Sequence, residues 1–210
     1  MSDEEQTVFM VNDEPLVLTA LARLLRAAGL SVRTFSSAVD FLESYGPDHA
    51  GCLLLDMAMP GLDGLSLQRQ LKSRGIGLPV IFLTARADVP MTVQAMKEGA
   101  ADFLTKPPSK EQLLGAVRAA LAKDAQRRLA CVVQAEDRRR LASLTPRERE
   151  VFEHVVRGQL NKQIAADLGT VERTVKFHRA ALMEKLGVES VADLVRFAQR
   201  LGIDPAEPGA

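Results

Sequence analysis

Several features that would indicate other classes of protein are scarce or absent in this 210-residue sequence. Its two cysteines, Cys52 and Cys131, provide no disulfide framework and no metal-ligand spacing, as expected in a reducing compartment. The first residues, MSDEEQ, lack the basic start and apolar stretch of a signal peptide, and no apolar run is long enough to span a bilayer. We therefore expect a soluble, cytoplasmic protein.

The sequence also lacks an excess of charge, because its 27 basic and 27 acidic residues cancel. Net charge therefore identifies no partner. The distribution is uneven: residues 1–122 contain 14 acids and 11 bases, residues 123–143 contain 3 acids and 6 bases, and residues 144–210 contain 10 of each. The first part of the chain is mildly acidic and the middle part is basic.

Short apolar runs alternate with stretches of helical periodicity over residues 1–122. The strand-like runs are TVFMV, SVRTF, GCLLLD, PVIFLTA and DFLTK. The helical stretches cover residues 15–28, 38–44, 65–74 and 91–99, and a further one begins at residue 110. This alternation predicts an α/β domain with a doubly wound, parallel, five-stranded sheet.

The strand pattern ends after residue 122. Residues 123–143 contain no glycine or proline and are rich in good helix formers, so we predict a helical linker. Beyond it, LTPREREVFEHVV, NKQIAADLG, ERTVKFHRAALMEKLG and SVADLVRFAQRLG each have a helical pattern. Residues 144–210 are therefore predicted to form a small all-α domain of four helices.

Polar side chains lie at the ends of four predicted strands. Asp56 ends the leucine run of GCLLLD, Asn12 and Asp13 follow the first strand, Thr84 ends the fourth, and Lys106 follows the fifth. Because the carboxyl ends of parallel strands open onto one crevice, we expect these side chains to converge. Two acids, a hydroxyl and an ammonium group suit a hard cation such as Mg²⁺ together with a phosphoryl group.

The motifs VNDEP, LLLDMAMPG, FLTA and DFLTKP occur in this order and resemble the receiver domain of two-component response regulators. Receivers have a flavodoxin-like fold with strand order 2-1-3-4-5. The resemblance implies that Asp56 is the phosphoacceptor. It also implies that Asp13, Asp56 and the backbone carbonyl of Ala58 hold Mg²⁺.

The resemblance assigns roles to three further side chains. Thr84 and Lys106 would contact the phosphoryl oxygens, and Phe103 would be the aromatic residue that switches together with Thr84. Asp56 would attack a phosphoryl group carried by a sensor histidine kinase, while Mg²⁺ and Lys106 stabilise the transferring charge. The chain would then be no conventional enzyme, since it would catalyse only its own phosphotransfer and dephosphorylation.

Asn12 departs from the receiver pattern, which usually has a second acid at this position. Asparagine keeps an oxygen acceptor but lacks the negative charge, so Mg²⁺ should bind more weakly and the incoming phosphoryl group should be repelled less. The resemblance gives direct metal contact to Asp13 and an indirect role to Asn12. We therefore hypothesise that phosphotransfer survives.

The stretch ERTVKFHRAALMEKLG has two faces at helical spacing. The apolar stripe consists of Val171, Val175, Leu182 and Leu186. The opposite face carries Arg173, Lys176, Phe177 and Ala180. With NKQIAADLG and a short turn before it, this pattern predicts a helix-turn-helix whose second helix enters the major groove.

Residues 144–201 resemble the DNA-binding domain of the LuxR, NarL and FixJ type through LTPREREV, NKQIA, RTVKFHR and KLGV. The resemblance implies that Lys176 and Phe177 face base edges, with Ala180 beside them. The implied phosphate contacts are Lys162, Arg173, Thr174 and Arg179. The implied dimer contacts in the last helix are Val191, Leu194, Val195 and Ala198.

Two details of this helix stay open. His178 is either a core histidine or a phosphate contact. Val171 occupies the position where the family usually has a serine as N-cap, so either Thr170 caps the helix instead or its start frays.

Taken together, the motifs resemble a full-length FixJ-type response regulator with a receiver at residues 1–122, a helical linker at 123–143 and a LuxR-type helix-turn-helix domain at 144–210. Phosphorylation would bias the receiver surface around its fourth helix, fifth strand and fifth helix and favour a homodimer. The dimer would bind double-stranded DNA at an inverted-repeat operator, with RNA polymerase as a further candidate partner.

Two alternatives remain. Phosphatases of the haloacid dehalogenase type also place an aspartate nucleophile after a strand, but they need a second acid two residues later, where this chain has Ala58. The receiver could instead act as an unphosphorylated dimerisation or ligand-sensing module. Asn12 is the only feature that favours this second alternative.

Overall fold

A computed structural model describes residues 6–46, 49–85 and 89–203, with the backbone alone for residues 89–92. The chain divides into two compact units, Met1–Arg128 and Leu129–Ala210. Among the helices of the described residues, none is both long enough and apolar enough to cross a membrane.

The first unit contains a parallel sheet in the order β2-β1-β3-β4-β5. Its strands are β1 (Thr7–Val11), β2 (Ser31–Phe35), β3 (Gly51–Asp56), β4 (Val80–Thr84) and β5 (Asp102–Thr105). The helices of this unit are α1 (Pro15–Ala27), α2 (Ala38–Ser44), α3 (Gly64–Ser73), α4 (Val89–Lys97) and the first part of α5 (Lys110–Ala142). The predicted doubly wound α/β fold and its strand order are confirmed.

The sheet is covered on both faces, which explains the nearly continuous apolar strands. On one face, Val8 and Leu54 pack with residues of α1 and α5, among them Val117. On the other face, Phe9 packs with residues of α2 and α3, among them Leu67. The central strand β3 is buried along its whole length, so Asp56 at its end is carried to the sheet edge by the core itself.

A buried carboxylate attaches α5 to the start of β3. Asp124 is fully buried, and its Oδ2 accepts the N–H of Gly51 at 2.9 Å while its Oδ1 accepts from Arg127 at 2.7 Å. Gly51 has φ +147°, and a Cβ here would lie 1.8 Å from the carbonyl oxygen of Thr7, so only glycine fits. Burial, together with the charge of Asp124, raises the pKa of the Cys52 thiol to about 12.

Helix α5 continues without a break from Lys110 to Ala142. The predicted linker at residues 123–143 is therefore helical, but it is the continuation of the last receiver helix instead of a separate element. The division between the two compact units falls within this helix, after Arg128. Since good helix formers continue through both segments, the sequence contains no signal at which the helix would stop.

The second unit is all-α in its described part and contains α6 (Pro146–Val156), α7 (Asn161–Asp167), α8 (Glu172–Leu186) and α9 (Val191–Arg200). Thr145 and Glu148 form a reciprocal capping box that starts α6 behind Pro146. The end of α5 belongs to this unit, because Arg200 Nε donates to the buried carboxylate of Asp137 at 2.6 Å. The four predicted helices are confirmed.

Candidate functional site: a carboxylate cluster and an exposed helix face

The carboxyl edge of the sheet holds a buried acid paired with a lysine. Asp56 is 3% exposed, and its Oδ2 lies 2.6 Å from Nζ of Lys106, which follows β5. The same Nζ lies 3.1 Å from Oε1 of Glu14, next to the end of β1. Three elements thus bring two carboxylates and one ammonium group together, as expected from their positions at the ends of parallel strands.

The pKa of Lys106 reflects this pairing. Burial lowers the pKa, but hydrogen bonds to Asp56 and Glu14, together with the two negative charges, outweigh burial and raise the pKa above the ordinary lysine value. The ammonium group is therefore permanently charged at neutral pH. It is placed to act on oxygens bound at Asp56 as a point charge.

The loop after Asp56 is shaped by a close backbone approach. The Ala58 N–H donates to Oδ1 of Asp56 at 3.3 Å, and the Gly64 N–H donates to the carbonyl of Met57 at 3.1 Å. A Cβ at Gly64 would lie 2.5 Å from the carbonyl oxygen of Asp56, so glycine is required there. The turn after the leucine run therefore reverses the chain directly behind Asp56. The carboxylate of Asp56 stays at the carboxyl edge of the sheet.

Thr84 lies at the same edge, whereas Phe103 lies within β5. Thr84 ends β4 half-buried, and its carbonyl accepts the Lys106 N–H at 2.6 Å. Phe103 is half-buried in β5 against the core. The Lys106–Pro107 peptide bond is cis.

Asn12 and Asp13 differ in exposure. Asn12 is 2% exposed, and its Oδ1 accepts the N–H of Glu14 at 2.8 Å, whereas Asp13 is exposed to solvent. Asp13 lies between Asn12 and Glu14 in the sequence and follows β1, the strand next to β3. The structure thus brings the predicted carboxylates to one edge.

The oxygen donors at this edge suit a magnesium ion. The described residues contain no cluster of three or more His, Cys, Asp or Glu side chains that could hold a metal. A cation here would depend on the carboxylates of Asp13 and Asp56, the backbone carbonyl of Ala58 and water, which is how Mg²⁺ is commonly bound. The Asn12 oxygen accepts one backbone N–H, and its indirect role in metal binding stays a prediction.

Glu14 was not among the predicted site residues. Its contact with Lys106 depends on a residue 92 positions away in the sequence. The motif VNDEP does contain this acid directly after Asp13, and its proximity to the strand end was the one available signal. The hydropathy pattern gives no indication of a role for Glu14, because its side chain is largely exposed.

In the second unit, α8 presents a basic and aromatic face. Arg173, Lys176, Phe177 and Ala180 are exposed, and Phe177 is 70% exposed although it is a large apolar residue. Buried residues on the opposite side are Val175, Leu182 and Leu186. The two predicted faces therefore exist, except that Val171 is not part of the buried one.

The other predicted phosphate contacts have different surroundings. Lys162 is exposed at the start of α7, and Thr174 is half-buried. Arg179 Nη1 donates to Oδ1 of Asn161 at 2.7 Å, so this guanidinium links α7 to α8. His178 is half-buried, with its ring edge-on to Phe177 at 5.7 Å between centroids.

The assignment of Val171 to the buried stripe was wrong. Val171 is 64% exposed because it is the N-cap of α8 and precedes the helix. It makes no side-chain cap, and the N–H of Thr170 instead donates to Ala165 at the end of α7. Thr170 therefore does not replace the missing serine, and α8 begins without a side-chain cap.

Two of the four residues predicted as dimer contacts in α9 are not available. Leu194 and Ala198 are fully buried in the core of their own domain. Val195 is half-buried, and Val191 is 39% exposed. The apolar stripe of α9 packs inward, and its spacing alone does not distinguish a core from a dimer interface.

Comparisons with known proteins agree with both units. The family of response regulator receiver domains matches residues 8–118, and the luxR family of bacterial regulatory proteins matches residues 142–198. TodT, a response regulator protein of Pseudomonas putida (strain F1), is 46% identical over 201 residues, which are 96% of this chain and 88% of TodT. The transcriptional regulatory protein FixJ of Azorhizobium caulinodans is 42% identical over 204 residues, 97% of either chain.

Solved structures give the same result. The response regulator StyR aligns with a TM-score of 0.82 at 46% identity, over 93% of this chain and 99% of StyR. Full-length FixJ from B. japonicum aligns with a TM-score of 0.58 at 35% identity, over 95% of this chain and 98% of that chain. The chain therefore belongs to the two-component response regulators of the FixJ and TodT type, which join a receiver domain to a LuxR-type DNA-binding domain.

Proposed function

We propose that the chain regulates transcription under the control of phosphorylation at Asp56. The observation that carries this proposal is the placement of Lys106 Nζ 2.6 Å from the buried Asp56 carboxylate at the open edge of the sheet. A buried strand-end acid with a fixed cation beside it is arranged for phosphoryl transfer, in which positioning and electrostatic stabilisation carry most of the catalysis.

In the proposed step, a carboxylate oxygen of Asp56 attacks the phosphorus of a phosphohistidine on a sensor kinase. The new O–P bond forms as the N–P bond breaks, and the imidazole nitrogen keeps the electron pair of that bond and takes a proton from water. Lys106 would stabilise the charge on the transferring oxygens, and Thr84, at the end of the strand next to β3, would donate to one of them. Water later attacks the phosphorus and returns the carboxylate and inorganic phosphate.

A bound Mg²⁺ would add charge neutralisation at the transferring oxygens. Asp13, Asp56 and the Ala58 carbonyl would hold it. The chain's own chemistry would end with its phosphorylation and dephosphorylation, so we do not propose an enzymatic activity on other substrates.

For the output domain we propose that α8 enters the major groove of an inverted-repeat operator. Lys176 and Phe177 would face base edges, while Lys162 and Arg173 would contact phosphates. The exposure of Phe177 supports this assignment, since a large apolar side chain on a surface helix often marks an interaction site.

We further propose that phosphorylation favours a homodimer through the receiver, by a change at Thr84 and Phe103 that biases the surface of α4, β5 and α5. Val93 and Met96 on α4 are exposed apolar residues that such a dimer could bury. RNA polymerase would be a partner at the promoter.

The test compares wild type with Asp56→Asn. A phosphate-affinity gel with a small-molecule phosphodonor and Mg²⁺ should shift wild type only, and beryllofluoride should raise the dimer fraction and the operator affinity of wild type only. If the receiver is an unphosphorylated scaffold, operator affinity will be the same for both proteins with and without beryllofluoride. That result would reject the proposal in favour of the scaffold.

A further inference from the structure

The side-chain amide of Asn12 is oriented by its neighbour. Asn12 is 2% exposed, and its Oδ1 accepts the N–H of Glu14 at 2.8 Å. This bond assigns the oxygen and the nitrogen of the amide. The nitrogen, Nδ2, is buried and has no hydrogen-bond partner among the described residues.

In the sheet register, Asn12 is next to the proposed phosphorylation site. Val11 pairs with Leu55 between β1 and β3, so Asn12 follows β1 at the level at which Asp56 ends β3. The two oxygens of Asp56 already have donors, Oδ1 from the Ala58 N–H and Oδ2 from Lys106. Each Asp56 oxygen thus has one donor, and the amide of Asn12 is not among these donors.

We propose that Nδ2 of Asn12 donates a hydrogen bond to an oxygen of the phosphoryl group on Asp56. This inference rests on the proposed phosphorylation of Asp56. A buried donor without an acceptor is unfavourable, so a phosphoryl oxygen that accepts from it gains affinity. An NH₂ group cannot bind a cation. Asn12 thus exchanges a contribution to metal binding for a direct contact with the phosphoryl group.

This assignment predicts opposite responses of two ligands to one substitution. Asn12→Asp keeps an Oδ1 that accepts from Glu14 and replaces only the NH₂ group by a charged oxygen of the same size. The new oxygen should attract Mg²⁺ and repel a phosphoryl group. Metal affinity should therefore rise while affinity for a phosphoryl mimic falls.

The experiment measures both ligands on the full-length chain. Isothermal titration calorimetry without a phosphoryl mimic gives the Mg²⁺ affinity, and ¹⁹F NMR at saturating Mg²⁺ gives the affinity for beryllofluoride, whose fluorines take the places of phosphoryl oxygens. We expect Asn12→Asp to bind Mg²⁺ roughly tenfold more tightly and beryllofluoride roughly tenfold more weakly than wild type.

Asn12→Ala separates the lost donor from the added charge. It should bind beryllofluoride roughly tenfold more weakly than wild type, with Mg²⁺ affinity changed by less than about twofold. If this neutral variant binds beryllofluoride as tightly as wild type, the role of Asn12 is refuted and charge alone explains the aspartate variant. If the Mg²⁺ affinity of Asn12→Ala also falls, this substitution disturbs the loop, and Asn12→Asp becomes the deciding variant. The proposal is then refuted if Asn12→Asp binds beryllofluoride as tightly as wild type.

The failure of the underlying function gives a different result. If wild type shows no Asp56-bound beryllofluoride signal, the proposed phosphorylation is itself wrong, whatever the variants do. If wild type binds beryllofluoride and both variants bind it equally tightly, only the proposed role of Asn12 is contradicted.

Discussion

Lys106 and Asp56 are 50 residues apart in the sequence, yet the ammonium group of Lys106 lies 2.6 Å from Oδ2 of Asp56. We predict that Lys106→Met lowers the free energy of unfolding of the receiver by about 2 kcal/mol, because a buried carboxylate loses a charged hydrogen-bond partner. Phosphorylation by a small-molecule donor should slow at least about tenfold. Urea unfolding and a timed phosphate-affinity gel measure the two effects, and an unchanged phosphorylation rate would argue against a role of Lys106.

Glu14 shares Lys106 with Asp56, and its side chain is largely exposed. We expect Glu14→Gln to change the free energy of unfolding by less than about 0.5 kcal/mol, since exposed ion pairs contribute little. The pKa of Lys106 should fall because one negative partner is lost. Without the charge of Glu14, Lys106 should be more available to a ligand on Asp56. The variant should therefore bind beryllofluoride somewhat more tightly in a ¹⁹F NMR titration. Glu43→Gln, an exposed change on α2, is the control and should match wild type.

The fully buried carboxylate of Asp124 is predicted to stabilise the receiver. Asp124→Ala leaves the N–H of Gly51 without an acceptor and removes the partner of Arg127. The free energy of unfolding should fall by about 2 to 3 kcal/mol, as measured by urea unfolding of the full chain. Asp124→Asn keeps an oxygen for Gly51 and should lose less. Equal losses in both variants would show that the charge, not the backbone contact, matters.

Glu148 gives the output domain a predicted dependence on acid. Hydrogen bonds from Lys185, and then from the backbone of Thr145, lower the pKa of this carboxyl below its ordinary value of 4.5. A lowered pKa in the folded state means that the stabilisation is complete above the unfolded pKa and is lost as the pH falls through the folded one. Stability should therefore decrease below about pH 4.5.

The variant Glu148→Gln should be less stable than wild type at neutral pH, and its unfolding free energy should depend less on pH below the ordinary glutamate pKa. Urea unfolding at a series of pH values measures this difference. Glu153→Gln, on the exposed side of α6, provides the control and should retain the wild-type slope. Parallel pH curves for wild type and Glu148→Gln would contradict the prediction.

Phe177 is predicted to act on DNA without supporting the fold. Because it is 70% exposed, Phe177→Ala should leave the melting temperature nearly unchanged while operator affinity falls by about 1 kcal/mol or more. Arg173→Ala should weaken binding to all sequences and reduce the salt slope by about one. Fluorescence anisotropy with operator and unrelated duplexes at several salt concentrations distinguishes the two. A Phe177 variant with wild-type operator affinity would exclude it from the interface.

Local patterns were sufficient for the secondary structure. The apolar runs predicted all five strands because a parallel sheet covered on both faces needs nearly continuous apolar strands. Strand-end positions likewise predicted the meeting of Asp56 and Lys106, since strand direction alone brings them to one edge.

The errors concern surfaces. The α9 stripe was assigned to a dimer, whereas Leu194 and Ala198 pack in their own core. An apolar stripe at helical spacing indicates that one face of a helix is buried. It does not indicate whether that face packs in the core of its own domain or against a second subunit. The helix formers of α5 continue beyond Arg128, so the sequence contains no signal for the division between the two compact units.

The order of strands and helices and the choice of chemical groups at the strand ends followed from the sequence, because hydropathy period and chain direction are local properties. Only the tertiary structure decided that Glu14 shares Lys106, that Asp124 accepts from Gly51, and that the amide of Asn12 turns its oxygen to the backbone and its nitrogen inward. These contacts depend on the distance and orientation of groups that are brought together only when the chain packs. A buried polar atom forms hydrogen bonds with the groups that packing places within reach, and the local sequence does not specify those groups.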